Sequence, residues 1–152
     1  MEIPEGTAEA PPGVFVERVF AYLIDGVVLV VLSLAAVFII VRYFAEMGKL
    51  FPYIRHWFPF IRSHVFLASL LVSPTYYIGL WSWRGQTLGK MALGIRIVKT
   101  NGAAITLGTA VLRYIGYWVS AAALFMGFFM VAWDSKEQGL HDKIAHTYVV
   151  KV

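Results

Sequence analysis

The chain has 152 residues, of which 59% are hydrophobic and 14% charged, whereas a soluble domain carries nearer to a quarter charged residues. A single domain of this composition therefore indicates an integral membrane protein, with the lipid bilayer as its solvent. The lack of cysteine excludes a thiol nucleophile and a cysteine-ligated metal, and the 13 scattered Lys and Arg residues lack the single basic face of a nucleic-acid-binding protein.

The chain begins with a stretch that predicts a flexible tail, followed by one membrane domain. Residues 1–16 contain three prolines and two glycines, which disfavour regular structure. Residues 17–152 are expected to form the membrane domain. Its first membrane segment, 19–41, has Asp25 as its only charge and would be about 34 Å long as a helix, enough to cross about 30 Å of hydrocarbon.

The middle of the chain predicts a surface segment and a second membrane segment. Residues 45–63 mix aromatic and basic side chains with two prolines, which favours a stretch lying on the membrane surface. Residues 65–83 carry no formal charge and end in a group of Tyr and Trp side chains typical of a membrane interface. They form the second predicted segment.

The following polar region predicts a small β element outside the membrane. Ile95–Lys99 alternates and is rich in β-branched residues, and Asn101-Gly102 separates it from residues 103–106, which favours a β-hairpin. Residues 114–133 are free of charge and predict a third membrane segment, and residues 147–152 predict a C-terminal strand. The expected fold is a small α-helical membrane protein with a hairpin and this strand.

The third segment leaves two topologies open. Three continuous spans fit its length and apolarity best, although the positive charges then divide almost evenly between the two sides. If residues 114–133 instead dip into the membrane and return, the C-terminal tail joins the side of residues 84–113 and the strand can pair with the hairpin. We expect continuous spans and a cytoplasmic N-terminus, with Gly102 cytoplasmic and Arg55 external.

Asp25 is the most informative polar residue, because a carboxylate inside the membrane needs a partner or a proton. Arg18 lies two helical turns earlier on the same face, with Tyr22 between them, which predicts an Arg18–Asp25 pair, direct or through water. Asp142 joins this pair if the C-terminal tail folds back. Ser69, Ser73 and Thr75 in the second segment are further candidate donors, either to Asp25 or back to their own helix. The carboxylate is either an ion or proton site or a structural hydrogen-bonding group between helices.

Two polar motifs favour structural roles. His141-Asp142, with His146 beyond it, matches no zinc signature, so a capped turn is the preferred interpretation over a metal or proton site. Gly85-Gln-Thr-Leu-Gly-Lys90 resembles a phosphate loop but has the wrong glycine spacing and lacks the Ser or Thr after the lysine. Gly85 and Gly89 instead predict a close approach between helices. We expect no bound metal or cofactor.

Three sequence pieces together resemble the RDD family of prokaryotic membrane proteins, named for one arginine and two aspartates. They are Arg18-Val-Phe-Ala-Tyr-Leu-Ile-Asp25, Gly85–Lys90 followed by Gly94-Ile-Arg-Ile-Val-Lys99, and Leu140-His-Asp142 before Thr147-Tyr-Val-Val150. By position the resemblance assigns the family residues to Arg18, Asp25 and Asp142. It implies a protein of the prokaryotic inner membrane, and some family members are linked to cation–proton exchange.

Two functions follow as expectations. One is transport of a monovalent cation or proton through Asp25, with Tyr22, Ser73 and His141 in support. Three helices enclose little volume, so a pathway calls for a homo-oligomer or a membrane protein partner. The alternative is a non-transporting interaction or assembly protein in which Arg18, Asp25 and Asp142 are structural polar contacts. The chain shows no catalytic triad or paired catalytic carboxylates, and we expect it not to be an enzyme.

Overall fold

The computed structural model describes residues 15–50, 58–124 and 126–152, and within these the protein is mostly helical. The helices are α1 (Phe15–Leu50), α2 (Phe58–Arg84), α3 (Leu88–Ala92), α4 (Leu107–Ala122), α5 (Met126–Phe129) and α6 (Leu140–Ile144), and the strands are β1 (Ile95–Lys99) and β2 (Thr147–Lys151). The chain divides into two compact units. Residues up to Asp25 together with Tyr77–Val152 form the first, and Gly26–Tyr76 forms the second.

Helix α1 contains the first predicted membrane segment. Within the described ranges, Phe15–Met47 is the single unbroken helix that is long and apolar enough to cross a membrane, and only 6% of its most apolar stretch is buried. Its exposed side chains are large and apolar, among them Val27, Leu34 and Phe38. Such a surface is stable in lipid but not in water. The second predicted segment lies within the 27 residues of α2.

Two predictions fall wholly or partly outside the described residues. Most of the predicted flexible tail, residues 1–14, lies outside the described residues, and α1 begins at Phe15. The core of the predicted surface segment, 51–57, is also outside them, together with the predicted external Arg55. The described flanks of that segment continue α1 as far as Leu50 and open α2 at Phe58, so they are helical.

The predicted β-hairpin is wrong, because β1 pairs with the C-terminal strand. The register joins Ile95 to Lys151 and Lys99 to Thr147 in an antiparallel ladder. Asn101-Gly102 does form a tight turn, in which the Gly102 amide donates to the Lys99 carbonyl at 2.8 Å. Residues 103–106 then lead into α4 instead of a strand. A lone two-stranded hairpin is marginal, and pairing with β2 adds the buried Tyr148 and Val149.

The third predicted segment is broken, so the prediction of one continuous helix over 114–133 is wrong. Helix α4 ends at Ala122, and residues 126–132 form α5 and a 3₁₀ turn at an angle of 114° to it. Glycines permit this return: a Cβ on Gly127 would lie 2.6 Å from the Ser120 hydroxyl. The re-entrant alternative therefore fits this region. Because β1 and β2 share one sheet, the α2–α4 connection and the C-terminal tail lie on the same side of any membrane.

Candidate functional site

Asp142 lies at the centre of a buried group of charges in the first unit. It belongs to α6, which starts directly after Gly139 and before β2. Its Oδ2 accepts hydrogen bonds from Arg18 Nη1 at 2.6 Å and from the Gly139 amide at 3.0 Å. Its Oδ1 forms an ion pair with Arg113 Nη1. Both guanidinium groups and the carboxylate are almost completely buried, so this ion pair network joins α1, α4 and α6.

The charges around Asp142 fix the protonation of this turn. Burial by itself would raise the pKa of Asp142, but the positive charges of Arg113 and Arg18 lower it well below its ordinary value. His141 is also buried, and burial lowers the pKa of its imidazole to about 3. At neutral pH this part of the site therefore holds an ionised Asp142 and a neutral His141. The hydrogen bond from the Gly139 amide agrees with the predicted capped turn, and the two arginines add ion pairs to it.

Asp25 has a different set of partners. Its Oδ2 accepts a hydrogen bond from the Thr87 hydroxyl at 2.6 Å, and its Oδ1 accepts one from the Gly89 amide at 2.8 Å. Thr87 also caps α3, as its hydroxyl accepts from the Lys90 amide. The segment that resembles a phosphate loop is therefore the segment that binds Asp25. Arg18 forms an ion pair with Asp142 at 2.6 Å, so Asp142 is a partner of Arg18, and the predicted Arg18–Asp25 pair stays a prediction.

The two glycines of that segment have different roles. A Cβ on Gly89 would collide with the backbone carbonyl of Ala21 in α1 and lie 3.0 Å from Asp25 Oδ1. The predicted close approach is therefore present at Gly89. Gly85 instead adopts a positive φ of 69°, and a Cβ there would lie 2.8 Å from the Ile97 carbonyl of β1. It is a turn glycine against the sheet.

Lys90 is the least expected member of the site. Its side chain is completely buried, its Nζ lies 4.6 Å from the centre of the Tyr22 ring, and no described side chain or backbone group accepts a hydrogen bond from it. Burial and the charges of Arg113 and Arg18 together lower the pKa of Lys90 from its ordinary 10.5 to about 7, while Asp25 and Asp142 act in the opposite direction. The ammonium form of Lys90 is therefore less favoured than that of an exposed lysine.

Aromatic side chains pack against the ionisable groups of the site. Tyr22 Oη lies 3.3 Å from His141 Nε2. Tyr117 contacts His141 edge to face with ring centroids 4.7 Å apart, and Arg113 lies over the Trp81 ring. The polar cluster is defined here as the six ionisable side chains of this site: Arg18, Asp25, Lys90, Arg113, His141 and Asp142.

The structure brings together most of the residues that the sequence singled out. Arg18, Asp25, Asp142 and His141 belong to the polar cluster, and Tyr22 contacts it. Ser73 lies in α2 within the second unit and is half-buried, so its supporting role stays a prediction. Across the described ranges, no three His, Cys, Asp or Glu side chains come together as metal ligands.

Sequence reasoning missed Arg113, Lys90 and Thr87. A signal existed for Arg113, which is the only charged residue between 107 and 133. A single charge at the edge of so apolar a stretch is expected to have a buried partner. Lys90 and Thr87 carried no comparable signal, because a Lys and a Thr in a polar connection are ordinarily exposed.

Comparison with known sequences decides the family. The sequence model of the RDD family matches residues 12–146, which is most of the chain. The chain belongs to the RDD family. This RDD-family chain is 35% identical over 150 residues to the Bacillus subtilis protein YxaI, an alignment that covers 93% of the chain and 98% of YxaI. No solved structure matches it.

Other relatives match only part of this RDD-family chain. The Bacillus subtilis membrane protein YteJ is 30% identical over 86 residues, covering 55% of this chain and 51% of YteJ. The proline-rich antigen homolog of Mycobacterium tuberculosis is 36% identical over 69 residues, covering 45% of this chain and 29% of that protein. The chain thus spans about half or less of the length of these two relatives.

Proposed function

We propose that this RDD-family chain is a helical protein of the prokaryotic cytoplasmic membrane. The length and apolar surface of α1 support this, as does the name of its relative YteJ as a membrane protein. In this arrangement α1 and α2 are the two spans, and α4 with α5 re-enters. The N-terminus, residues 85–106 and the C-terminal tail then share the cytoplasmic side, because the β1–β2 sheet joins the last two.

We further propose that the protein exchanges a monovalent cation for a proton and is not an enzyme. The observation that carries this proposal is the polar cluster, in which five side chains other than His141 are charged in their ordinary states and at most 2% exposed. Burying charges is expensive, and ionisable groups buried in membrane proteins commonly mark ion or proton pathways. A pathway through so small a bundle requires a second copy of the chain or a membrane protein partner.

Within the polar cluster, Asp25 is the carboxylate suited to bind a cation. Asp142 already faces two guanidinium groups, which oppose the approach of a further cation. The donors to Asp25 include two neutral groups, the Thr87 hydroxyl and the Gly89 amide. A carboxylate has about four lone-pair positions, so neutral donors and a cation can share it. We therefore assign cation binding to Asp25 and a structural role to Asp142.

Flux measurements in proteoliposomes test the proposed exchange. With a pH gradient across the vesicles, added sodium, potassium or lithium should drive proton movement through the wild-type protein. Asp25→Asn should abolish this flux, because the amide retains an acceptor for Thr87 but carries no charge. The matched control is Glu46→Gln, which removes an exposed carboxylate near the end of α1 and should keep full flux. Absence of flux from folded wild-type protein with all three cations would contradict transport.

A second function is favoured because both carboxylate oxygens of Asp142 already have charged or backbone partners. Its ion pairs with Arg18 and Arg113 and its hydrogen bond from the Gly139 amide hold α1, α4 and α6 together. Such contacts suit a structural core. If flux is absent, the protein is instead a non-transporting interaction or assembly protein, with Arg18, Asp25 and Asp142 as structural polar contacts. Measurement of its stoichiometry in detergent, alone and with co-purified membrane proteins, then becomes the next test.

A further inference from the structure

One edge of the Arg113 guanidinium group has no partner among the described protein groups. Its Nη1 pairs with Asp142 Oδ1 and donates a hydrogen bond to the Thr147 hydroxyl. No described side chain or backbone group accepts a hydrogen bond from its Nε or Nη2, although both atoms are buried. Buried N–H groups nearly always have an acceptor, because an unmet donor in the interior costs free energy. The unpartnered edge therefore indicates an acceptor other than these protein groups.

The two unpartnered nitrogens form the edge of arginine that binds forked oxyanions. The N–H bonds of Nε and Nη2 run parallel along one side of the guanidinium plane, and such a pair matches the two oxygens of a carboxylate. A single-atom acceptor, such as chloride or a water oxygen, meets both donors only with bent hydrogen bonds. The shape of the unpartnered edge therefore favours an anion with two oxygens on one atom.

A third unmet donor lies beside this edge. The indole Nε1–H of Trp81 in α2 is buried and has no acceptor among the described residues. The centre of the Trp81 ring lies 5.4 Å from Arg113 Cζ, and both side chains are completely buried. Two residues from different helices thus bring three N–H donors without acceptors into one small region of the first unit.

The charges near Arg113 also favour an anion. Arg18 and Arg113 both pair with the one carboxylate of Asp142, so this part of the polar cluster has one positive charge in excess. Arginine keeps its proton under all ordinary conditions, so a change of pH does not remove this excess. Across the whole polar cluster, the basic side chains of Arg18, Lys90 and Arg113 likewise outnumber the two carboxylates. A bound monoanion would compensate the difference.

We propose that the unpartnered edge of Arg113 and the indole of Trp81 form a binding site for a small monovalent anion with two oxygens on one carbon, such as formate or bicarbonate. One oxygen accepts a hydrogen bond from Nε and the other accepts one from Nη2, and the indole N–H donates to one of the two. Complete burial of the donors limits the ligand to a few atoms and excludes a bulky carboxylate such as gluconate. The site does not use Asp25, so it goes beyond the proposed cation exchange and does not depend on it.

A lipid headgroup is the main alternative source of such an acceptor. Its phosphodiester has the same forked pair of oxygens and a single negative charge, but its phosphate also carries two bulky substituents. Because Arg113 and Trp81 are completely buried, we assign the site to an anion from solution. The experiment therefore uses dodecyl maltoside, a detergent without phosphate or any ionised group, and adds phosphatidylglycerol only as a separate arm.

NMR of the donors themselves tests the proposal. The full-length protein in dodecyl maltoside carries 15N in its arginine and tryptophan side chains, and potassium formate replaces potassium gluconate at a constant potassium concentration. Constant potassium keeps any cation binding unchanged during the titration. Loss of a signal in Arg113→Lys or in Trp81→Phe identifies the two N–H groups. We expect both signals to shift along one saturable curve with formate and with bicarbonate, and chloride to need at least about a tenfold higher concentration.

Two tryptophan variants give a matched comparison. Trp81→Phe keeps an aromatic ring and removes the indole N–H, so it should weaken formate binding at Arg113 about tenfold, as loss of a hydrogen bond to a charged group does. Trp83→Phe changes a tryptophan that is 73% exposed and should leave the affinity for formate unchanged. If Arg113→Lys does not fold, the response of the Trp81 signal in the wild-type protein decides the proposal.

Three results would overturn the proposal. Signals that neither formate nor bicarbonate shifts would show that water alone meets these donors. Equal affinities for chloride and formate would show a response to charge without a forked site. A shift that appears with phosphatidylglycerol and not with formate would place a lipid phosphate at the edge of Arg113.

Discussion

The polar cluster has two halves, one around Asp142 and one around Asp25, and they neutralise a buried carboxylate in different ways. In the α6 turn, Asp142 meets two guanidinium groups and a backbone amide. Beside α3, Asp25 meets a hydroxyl and a backbone amide, with a lysine as the nearby cation. Arginine cannot release its proton, whereas a buried lysine releases it readily. One half therefore has a fixed charge, and the other half has a charge that depends on pH.

Under the proposed function, this difference assigns a structural role to Arg18 and Asp142 and ion binding to Asp25. Arg18 and Asp142 form one ion pair, and its geometry requires α1 and the C-terminal turn to be in place together. Asp25 instead binds the short connection between α2 and β1. The fixed half suits a scaffold, because its partners hold each other in one protonation state. The variable half suits a group that binds and releases ions.

The largest effect should come from removal of the fixed carboxylate. Asp142→Asn leaves Arg18 and Arg113 buried without a compensating charge, which should lower the free energy of unfolding by about 3–5 kcal/mol. The measurement is thermal or denaturant unfolding in detergent. Glu46→Gln removes an exposed carboxylate from an ion pair and is the control, with stability expected to stay close to that of the wild type.

A double mutant sharpens the assignment of the partner. Arg18→Gln combined with Asp142→Asn removes both charges of the pair, so it should be more stable than the sum of the single losses predicts. Arg18→Gln combined with Asp25→Asn should show a smaller coupling. Equal couplings for the two aspartates would erase the difference between the halves.

A smaller effect should come from a methyl group placed against Asp25. In Gly89→Ala the new Cβ meets the Ala21 carbonyl and Asp25 Oδ1, and overpacking of this kind costs about 1–3 kcal/mol. It should also weaken cation binding, because the Gly89 amide shifts away from the carboxylate. The control is Gly79→Ala in α2, where nothing lies within 4 Å of the added Cβ. That change should be neutral or stabilising by up to about 1 kcal/mol. A Gly89→Ala protein as stable as Gly79→Ala would disprove the close approach.

The sequence predicted helices and individual site residues better than their pairing. Asp25 was identifiable because a charge inside an apolar run has few explanations. Its donors Thr87 and Gly89 were not, because they lie more than 60 positions away along the chain, whereas helical spacing points only to residues of the same helix such as Arg18. Local periodicity carries information about one element and little about contacts between distant ones.

The same limit explains the errors in the β element and the third segment. Asn101-Gly102 forms a turn as its residue types require, but the partner of β1 is chosen by the burial of β2, which a local pattern does not contain. The break after α4 brings Gly127 against Ser120, a close approach between residues seven positions apart that leaves no room for a Cβ. Apolarity alone suits a continuous helix and a folded-back one equally well.

The smallest effect per unit of change concerns the pH dependence of stability, and it separates the two halves directly. The pKa of Lys90 falls from an ordinary 10.5 to about 7 on folding. Between these values the unfolded chain binds more protons than the folded protein, so the free energy of unfolding should rise with pH from about 7 to 9, by at most about 1.4 kcal/mol per unit. Asp142 and His141 contribute nothing to this rise, since both have their pKa lowered and so titrate at acidic pH. Lys90→Met should therefore flatten the rise, whereas Lys49→Met, at an exposed site, should preserve it. If the stability of the wild-type protein is constant or falls over this range, Lys90 keeps its positive charge, and the two halves do not differ.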